Sequence, residues 1–177
     1  FSYPAILHMS NDYGYGLAAA FLNEWYYVMG NDYCFELEYY QDTTDFSDEV
    51  EYIDDYNCDS VVMVTYATDG AAIMEELLSQ GFSGSLYGAD GLADAALTQS
   101  FTDVAAVDGL VATKPRPGES STAKSSFETA YAAAGGNPEG IYTNETFDAV
   151  NLVAAAVMAD SNDDLRDDLV SLGSSYD

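Results

Sequence analysis

The sequence predicts an α/β fold: a parallel, doubly wound sheet of about five strands in the order 2-1-3-4-5, followed by a helical segment. Three observations point there. Strand-like and helix-like segments alternate over residues 1–115. Ser60–Thr65 (SVVMVT) is apolar on both faces, as a central parallel strand requires. Beyond Pro117 the alternation stops and only helical patterns remain. The domain reading is therefore an α/β lobe over 1–115 and a helical segment over 116–177.

Each element has its own signal. Pro4–Met9 is a short apolar run ending in Ser-Asn-Asp, a buried strand and a turn. Gly16 to Met29 places Leu17, Phe21, Trp25 and Val28 at helical spacing and stops at Gly30. Cys34–Tyr40 alternates apolar and polar residues, as a strand with one wet face does. Thr44-Asp45-Phe46-Ser47 opens an acidic helix through Tyr56, with Val50 and Ile53 inward. After the Ser60–Thr65 strand, a helix runs from Gly70 to Gln80 and ends at Gly81. Ser85–Gly88 is a short strand, Leu92–Phe101 a helix, and Gly109–Thr113 the fifth strand. Ser121–Ala134, Thr146–Asp160 and Asp163–Leu172 are helices, with a strand stub expected at Gly140-Ile141-Tyr142. Phe127 and Tyr131 form one apolar stripe; Phe147, Val150, Val153 and Val157 form another. Both need a covering surface, either the α/β lobe or something outside this chain.

Composition narrows the partners. The chain has 177 residues, 48% of them hydrophobic, with 15 Tyr and 8 Phe, enough to build a core and too apolar for disorder. Thirty-one acidic residues against four basic ones give a net charge of −27. Phosphate backbones and anionic lipid surfaces would be repelled, which argues against nucleic acid and peripheral membrane partners. No apolar run is long enough to span a bilayer. Dense carboxylate with almost no lysine also fits high-salt surroundings, where self-repulsion is screened.

In an open parallel sheet, ligands bind at the carboxyl ends of the strands, near the switch in strand order. For the order 2-1-3-4-5, those ends carry Asn11-Asp12-Tyr13-Gly14, Tyr66-Ala67-Thr68-Asp69 and Ala89-Asp90-Gly91. Tyr13, Tyr66 and Asp90 should therefore cluster. Two phenols and a carboxylate beside two helix starts suit a zwitterion, the carboxylate taking an ammonium and the helix-start amides a carboxylate. The plainer alternative is that the tyrosines cap the sheet and Asp90 caps the next helix.

Taken in order, D-Y-G-Y-G, T-D-F-S, D-S-V-V-M-V, Q-G-F, L-Y-G-A-D-G, G-L-V-A-T-K-P, F-E-T-A-Y-A-A-A-G-G-N-P and F-D-A-V-N-L-V-A-A-A resemble type 1 periplasmic binding proteins. These are the solute-binding components of branched-chain amino-acid ABC importers. The resemblance covers nearly the whole chain. It implies a non-enzymatic protein that takes an amino acid between two lobes, needs no cofactor, and hands its ligand to a membrane permease. It also implies an extracellular or periplasmic location, with a lipid anchor on the full-length protein as one means of retention. By motif, Tyr13, Tyr66 and Asp90 match ligand residues of the second lobe, Asp90 standing where the family more often has Glu to hold the α-ammonium. The family's second tyrosine after strand three is Ala67 here. Family members are roughly twice as long, so the resemblance further implies that residues 116–160 pack on a first lobe missing from this chain. The alternative reading is a structural module of the same fold that self-associates through those helices.

Other motifs carry less. Gly14-Tyr15-Gly16-Leu17-Ala18-Ala19 fits G-x-G-x-x-A, but its first glycine stands too far beyond Met9 for a dinucleotide turn. His8, the only histidine, sits in an apolar strand and reads as a packed residue. One histidine cannot furnish a zinc site or a Ser-His-Asp triad alone. Pairs such as Asp54-Asp55 and Asp163-Asp164 resemble solvated helix faces, and Asn144-Glu145-Thr146 is a formal glycosylation sequon. Cys34 and Cys58 precede strands two and three, which flank strand one. Two sheet spacings of about 4.8 Å exceed the ~7 Å Cα reach of a disulfide. Cys58 lies in a turn and could pass underneath, so the sequence leaves the bond open.

Overall fold

The computed structural model describes residues 2–115, 118–159 and 164–174. It forms two compact units, Phe1–Arg116 and Pro117–Asp177.

The first unit is built on five parallel strands: β1 (Pro4–Met9), β2 (Phe35–Tyr39), β3 (Ser60–Val64), β4 (Ser85–Gly88) and β5 (Val111–Ala112). Their order is β2-β1-β3-β4-β5, as the alternation of elements predicts. β1 is buried at every position and pairs on both edges, Leu7 facing Leu37 on one side and Met63 on the other. Its side chains alternate between two cores. Ala5, Leu7 and Met9 pack with α2 (Ser47–Asp55) and α3 (Ala67–Ser79) through Val50, Ile53, Ile73, Met74 and Leu77. Ile6 packs on the opposite face with Val62 and α1 (Asp12–Leu22), through Ala18, Phe21 and Leu22.

The rotation of α1 differs from the stripe expected at Leu17, Phe21, Trp25 and Val28. Leu17 and Val28 are exposed, and the buried positions are Gly14 and Ala18. The cause is Gly14: a Cβ there would lie 1.8 Å from the Met9 carbonyl oxygen. Only hydrogen fits, so the helix settles on its small residues. The helix then widens into a π-helical stretch over Asn23–Val28 before Gly30 turns the chain at φ 72°.

Other boundaries differ too. α3 begins at Ala67 rather than Gly70. The helix expected over Leu92–Phe101 is a 3-10 turn, Asp90–Leu92, followed by a short α4 (Ala96–Ser100). Leu92 is fully buried and anchors that turn against Gly88 and Gly70, which ends the first helical stretch early. The stub at Gly140-Ile141-Tyr142 is a turn, not a strand. The Gly140 amide donates to Asn137, the Thr143 amide to Gly140, and Tyr142 takes φ 63°.

The second unit consists of α5 (Thr122–Ala133), α6 (Thr143–Ala159) and α7 (Leu165–Gly173). Phe127 of α5 stacks on Phe147 of α6 with ring centroids 4.1 Å apart. Val150, Val153 and Val157 remain exposed on α6. The expected helix start at Asp163, the Asp163 member of its acidic pair, and the Arg116-Pro117 boundary lie outside the described residues.

Cys34 and Cys58 form a disulfide with Cα atoms 5.7 Å apart; the Cys34 amide donates to the Pro4 carbonyl and the Asp59 amide to that of Tyr3, which brings both cysteines to the start of β1. Asp59 shapes the turn before β3 by accepting from the Ser2 and Tyr3 amides. His8 is 2% exposed, its Nε2 3.3 Å from Glu36 and its ring 5.1 Å from that of Tyr15, a packed histidine.

Two predictions follow from this architecture and its charge. The disulfide spans 24 residues; a crosslink of that length stabilises by about 3 kcal/mol. The Cys34→Ser, Cys58→Ser double variant should lose about that much in equilibrium denaturation. Between described residues the only ion pair to a Lys or Arg is Arg166–Asp167, which is exposed and weak. Raising salt from about 0.1 M to about 1 M, which shortens screening from about 10 to 3 Å, should therefore raise the melting temperature measured by circular dichroism.

Candidate functional site: the mouth at the strand ends

All five strands point the same way, so the segments that follow them gather at one end of the sheet. Tyr13, in the first turn of α1, donates its hydroxyl proton to Asp90 Oδ1 at 3.1 Å. The same hydroxyl oxygen accepts from the Gly91 amide at 2.9 Å. The Tyr66 ring, at the start of α3, stacks on the Tyr13 ring with centroids 5.1 Å apart and planes 16° off parallel. The three residues expected to cluster therefore do so, in one chain of contacts. Tyr13 and Asp90 are half-buried, and Tyr66 is 44% exposed.

Gly91 makes this closeness possible. A Cβ at this position would lie 2.5 Å from the Thr65 carbonyl oxygen, 2.8 Å from the Tyr13 hydroxyl and 3.2 Å from the Tyr66 ring. Two of those neighbours are the predicted site residues themselves. Any side chain would force the loop away from the end of β3 and separate Tyr13 from Asp90.

Burial, then the charge and hydrogen bond of Asp90, push the Tyr13 phenol up to about 12, although the Gly91 amide works against the shift. Tyr13 thus keeps its proton throughout the physiological range and stays a donor to Asp90.

Sequence reasoning missed a second phenol–carboxylate pair at the same end. Tyr39, the last residue of β2, donates to Asp69 Oδ2 at 3.0 Å. Burial first, then Asp69, and also the phenols of Tyr66 and Tyr13, raise the Tyr39 pKa. The available signal was the strand order, which sets the end of β2 beside that of β1 at the same switch point. The alternation Phe35, Leu37, Tyr39 reads instead as a core face.

The helix starts behave differently from the expectation that they receive an anion. Asn11 caps α1, its side-chain oxygen accepting from the Gly14 amide at 2.8 Å. α3 has no side-chain cap but carries Asp69 in its first turn, which supplies the negative charge a helix start favours. Both positive ends are thus already complemented within the chain. The strand ends thus present two carboxylates, each accepting from a phenol, with an exposed aromatic face alongside.

No family model and no curated protein matches the chain. Solved structures do. A leucine binding protein LivK from Thermotoga maritima is 22% identical, with a TM-score of 0.76 over 95% of this chain and 48% of that one. LivJ from Streptococcus pneumoniae, a branched-chain amino acid transporter substrate binding protein solved with isoleucine, is 20% identical, with a TM-score of 0.72 over 94% and 48%. A type 1 periplasmic binding protein from Bordetella pertussis is 17% identical, with a TM-score of 0.73 over 89% and 46%.

The titration of Tyr13 is a direct check on the geometry. Its folded pKa lies above the unfolded value of about 10, so its contribution to stability is complete below pH ~10 and is lost as pH rises through 12. Ultraviolet titration should show one phenol ionising near 12, moving down towards 10 in Asp90→Asn. The chain spans about half the length of the structures it matches, and over that half it has the fold of the type 1 periplasmic binding proteins.

Proposed function

We propose that this chain is the cation-receiving half of an extracytoplasmic solute-binding protein, which captures an amino acid or similar small zwitterion for an ABC importer. The observation that carries the reading is the Tyr13–Asp90–Gly91 chain of hydrogen bonds with Tyr66 stacked on it. Asp90, oriented by the Tyr13 hydroxyl, takes the ligand's ammonium, and the Tyr66 ring offers a face to the rest of the molecule. The solved structures of this fold support the reading, since one holds isoleucine and another is named for leucine. The ligand's carboxylate falls to groups outside this mouth, because both helix starts are already complemented.

The second unit fits the same reading. The exposed Val150, Val153 and Val157 on α6 form an apolar face that the missing half of the fold would cover. Residues 1–115 are then the ligand-binding lobe, and 116–177 belong with a first lobe supplied from elsewhere. The partners are the ligand and a membrane permease, at the extracellular or periplasmic face, where a disulfide persists. No enzymatic step is part of this function. The exposed α6 face also favours a second reading, self-association of the chain through the same helices, which light scattering distinguishes by mass.

A charge-assisted hydrogen bond contributes roughly 1.5–3 kcal/mol. Replacing Asp90 by Ala should therefore weaken amino-acid binding by about 10- to 100-fold in calorimetry, with the melting temperature little changed. Equal affinity in the variant would remove Asp90 from the site.

A further inference from the structure

His8 is the one side chain able to carry a positive charge before Lys114, in a stretch dense with carboxylates. It is nonetheless buried, at the penultimate position of β1. Both of its ring nitrogens face oxygen. Nδ1 lies 3.2 Å from the Met9 carbonyl oxygen, and Nε2 lies 3.3 Å from Glu36 Oε1. A neutral imidazole has one N–H and one lone pair, so it can donate to only one of these acceptors. The imidazolium has an N–H for each. The surroundings of the ring therefore have two arrangements, one for each protonation state.

The groups around it come from three elements. On β2, Glu38 pairs in register with His8 and Glu36 with Ile6, so both glutamates stand on the face of the sheet that His8 takes. On α1, the Tyr15 ring tilts against the imidazole, and its hydroxyl donates to Glu38. On β3, the register neighbour is Val64, which does not titrate. Tyr33 and Tyr87 also pack on this face, against Ile6, Ala18 and Val62. The two acceptors of the ring differ in their freedom. The Met9 carbonyl belongs to the backbone and is held by the Asn11 amide, so it cannot withdraw. The Glu36 side chain is 38% exposed on an edge strand and can turn to water. A neutral ring thus keeps its proton on Nδ1, towards Met9, and turns a lone pair on the carboxylate, which leaves.

We infer that His8 is a proton-operated clasp: with its second proton it binds the Glu36 carboxylate and ties the edge strand β2 to β1 across the face that α1 covers, and without that proton it releases Glu36 to solvent. The backbone ladder and the Tyr15–Glu38 contact then hold that edge by themselves. The clasp is closed on the acid side of the range in which histidines change charge, roughly pH 5 to 8, and opens as pH rises through it. β2 ends in Tyr39, so the proton sets how firmly one wall of the strand-end mouth is anchored.

Nitrogen-15 NMR of the histidine ring and hydrogen exchange of the β2 amides test this on the whole chain. Towards pH ~5 both ring nitrogens should carry protons; towards pH ~8 Nε2 should lose its proton and Nδ1 keep it. Over the same range the exchange protection of the β2 amides bonded to β1, corrected for intrinsic rates and read against the amides of β4, should fall at least about 10-fold. In Glu36→Gln the side-chain amide offers the ring either a donor or an acceptor, so a partner remains in both states. The position is half-exposed and tolerates the change, and the fall should shrink to about twofold or less. A ring that keeps one protonation state throughout, a proton lost from Nδ1 instead, unchanged β2 protection, or a fall of equal size in Glu36→Gln overturns the clasp.

Discussion

Because β1 pairs with β2 on one edge and with β3 on the other, the helix that follows β1 packs on one face of the sheet and those that follow β2 and β3 on the opposite face. The parallel direction of every strand then sends all those segments to one end. The mouth is the outcome of these two facts. Tyr39 ends β2, Tyr13 follows β1, Tyr66 and Asp69 follow β3, and Asp90 follows β4. Tyr66 and Asp69 share one helix turn; otherwise none is close to the next in sequence, and no local motif brings them together. A glycine in the loop after β4 then draws the last of them into contact, since the Gly91 amide and the Tyr13 hydroxyl can meet only where a side chain is absent.

Electrostatics gives this mouth its chemical character. A net charge of −27 is spread over a surface with almost no internal cations. Most carboxylates face water, where their interactions are weak. At the strand ends two of them are partly withdrawn from solvent and gripped by phenols whose own pKa values are raised, so the phenols remain donors. Neutral donors orient a carboxylate without cancelling its charge.

Much of this was legible from residues alone. The both-sided apolar run Ser60–Thr65 and the alternation of elements suffice for the strand order, and the strand order suffices to bring Tyr13, Tyr66 and Asp90 together. What escaped depends on contacts that periodicity does not encode. The inward face of α1 follows from one glycine pressed on the Met9 carbonyl, so the larger residues Leu17 and Val28, which dominate the helical pattern, lie outside. Tyr39 looks like one more core residue of β2, because alternation reports which face a side chain takes and not what its far end reaches. The disulfide was undecidable from strand spacing, since it depends on where the segments before β2 and β3 meet the start of β1.

That crosslink has a mechanical meaning. Cys34 and Cys58 fasten the two neighbours of β1 at the end of the sheet remote from the tyrosines. The ladder fastens the three strands along their lengths, and the disulfide adds a covalent tie at their roots. The crosslink thus ties the lower half of the lobe together, beneath the strand ends that carry Tyr13, Tyr39 and Tyr66.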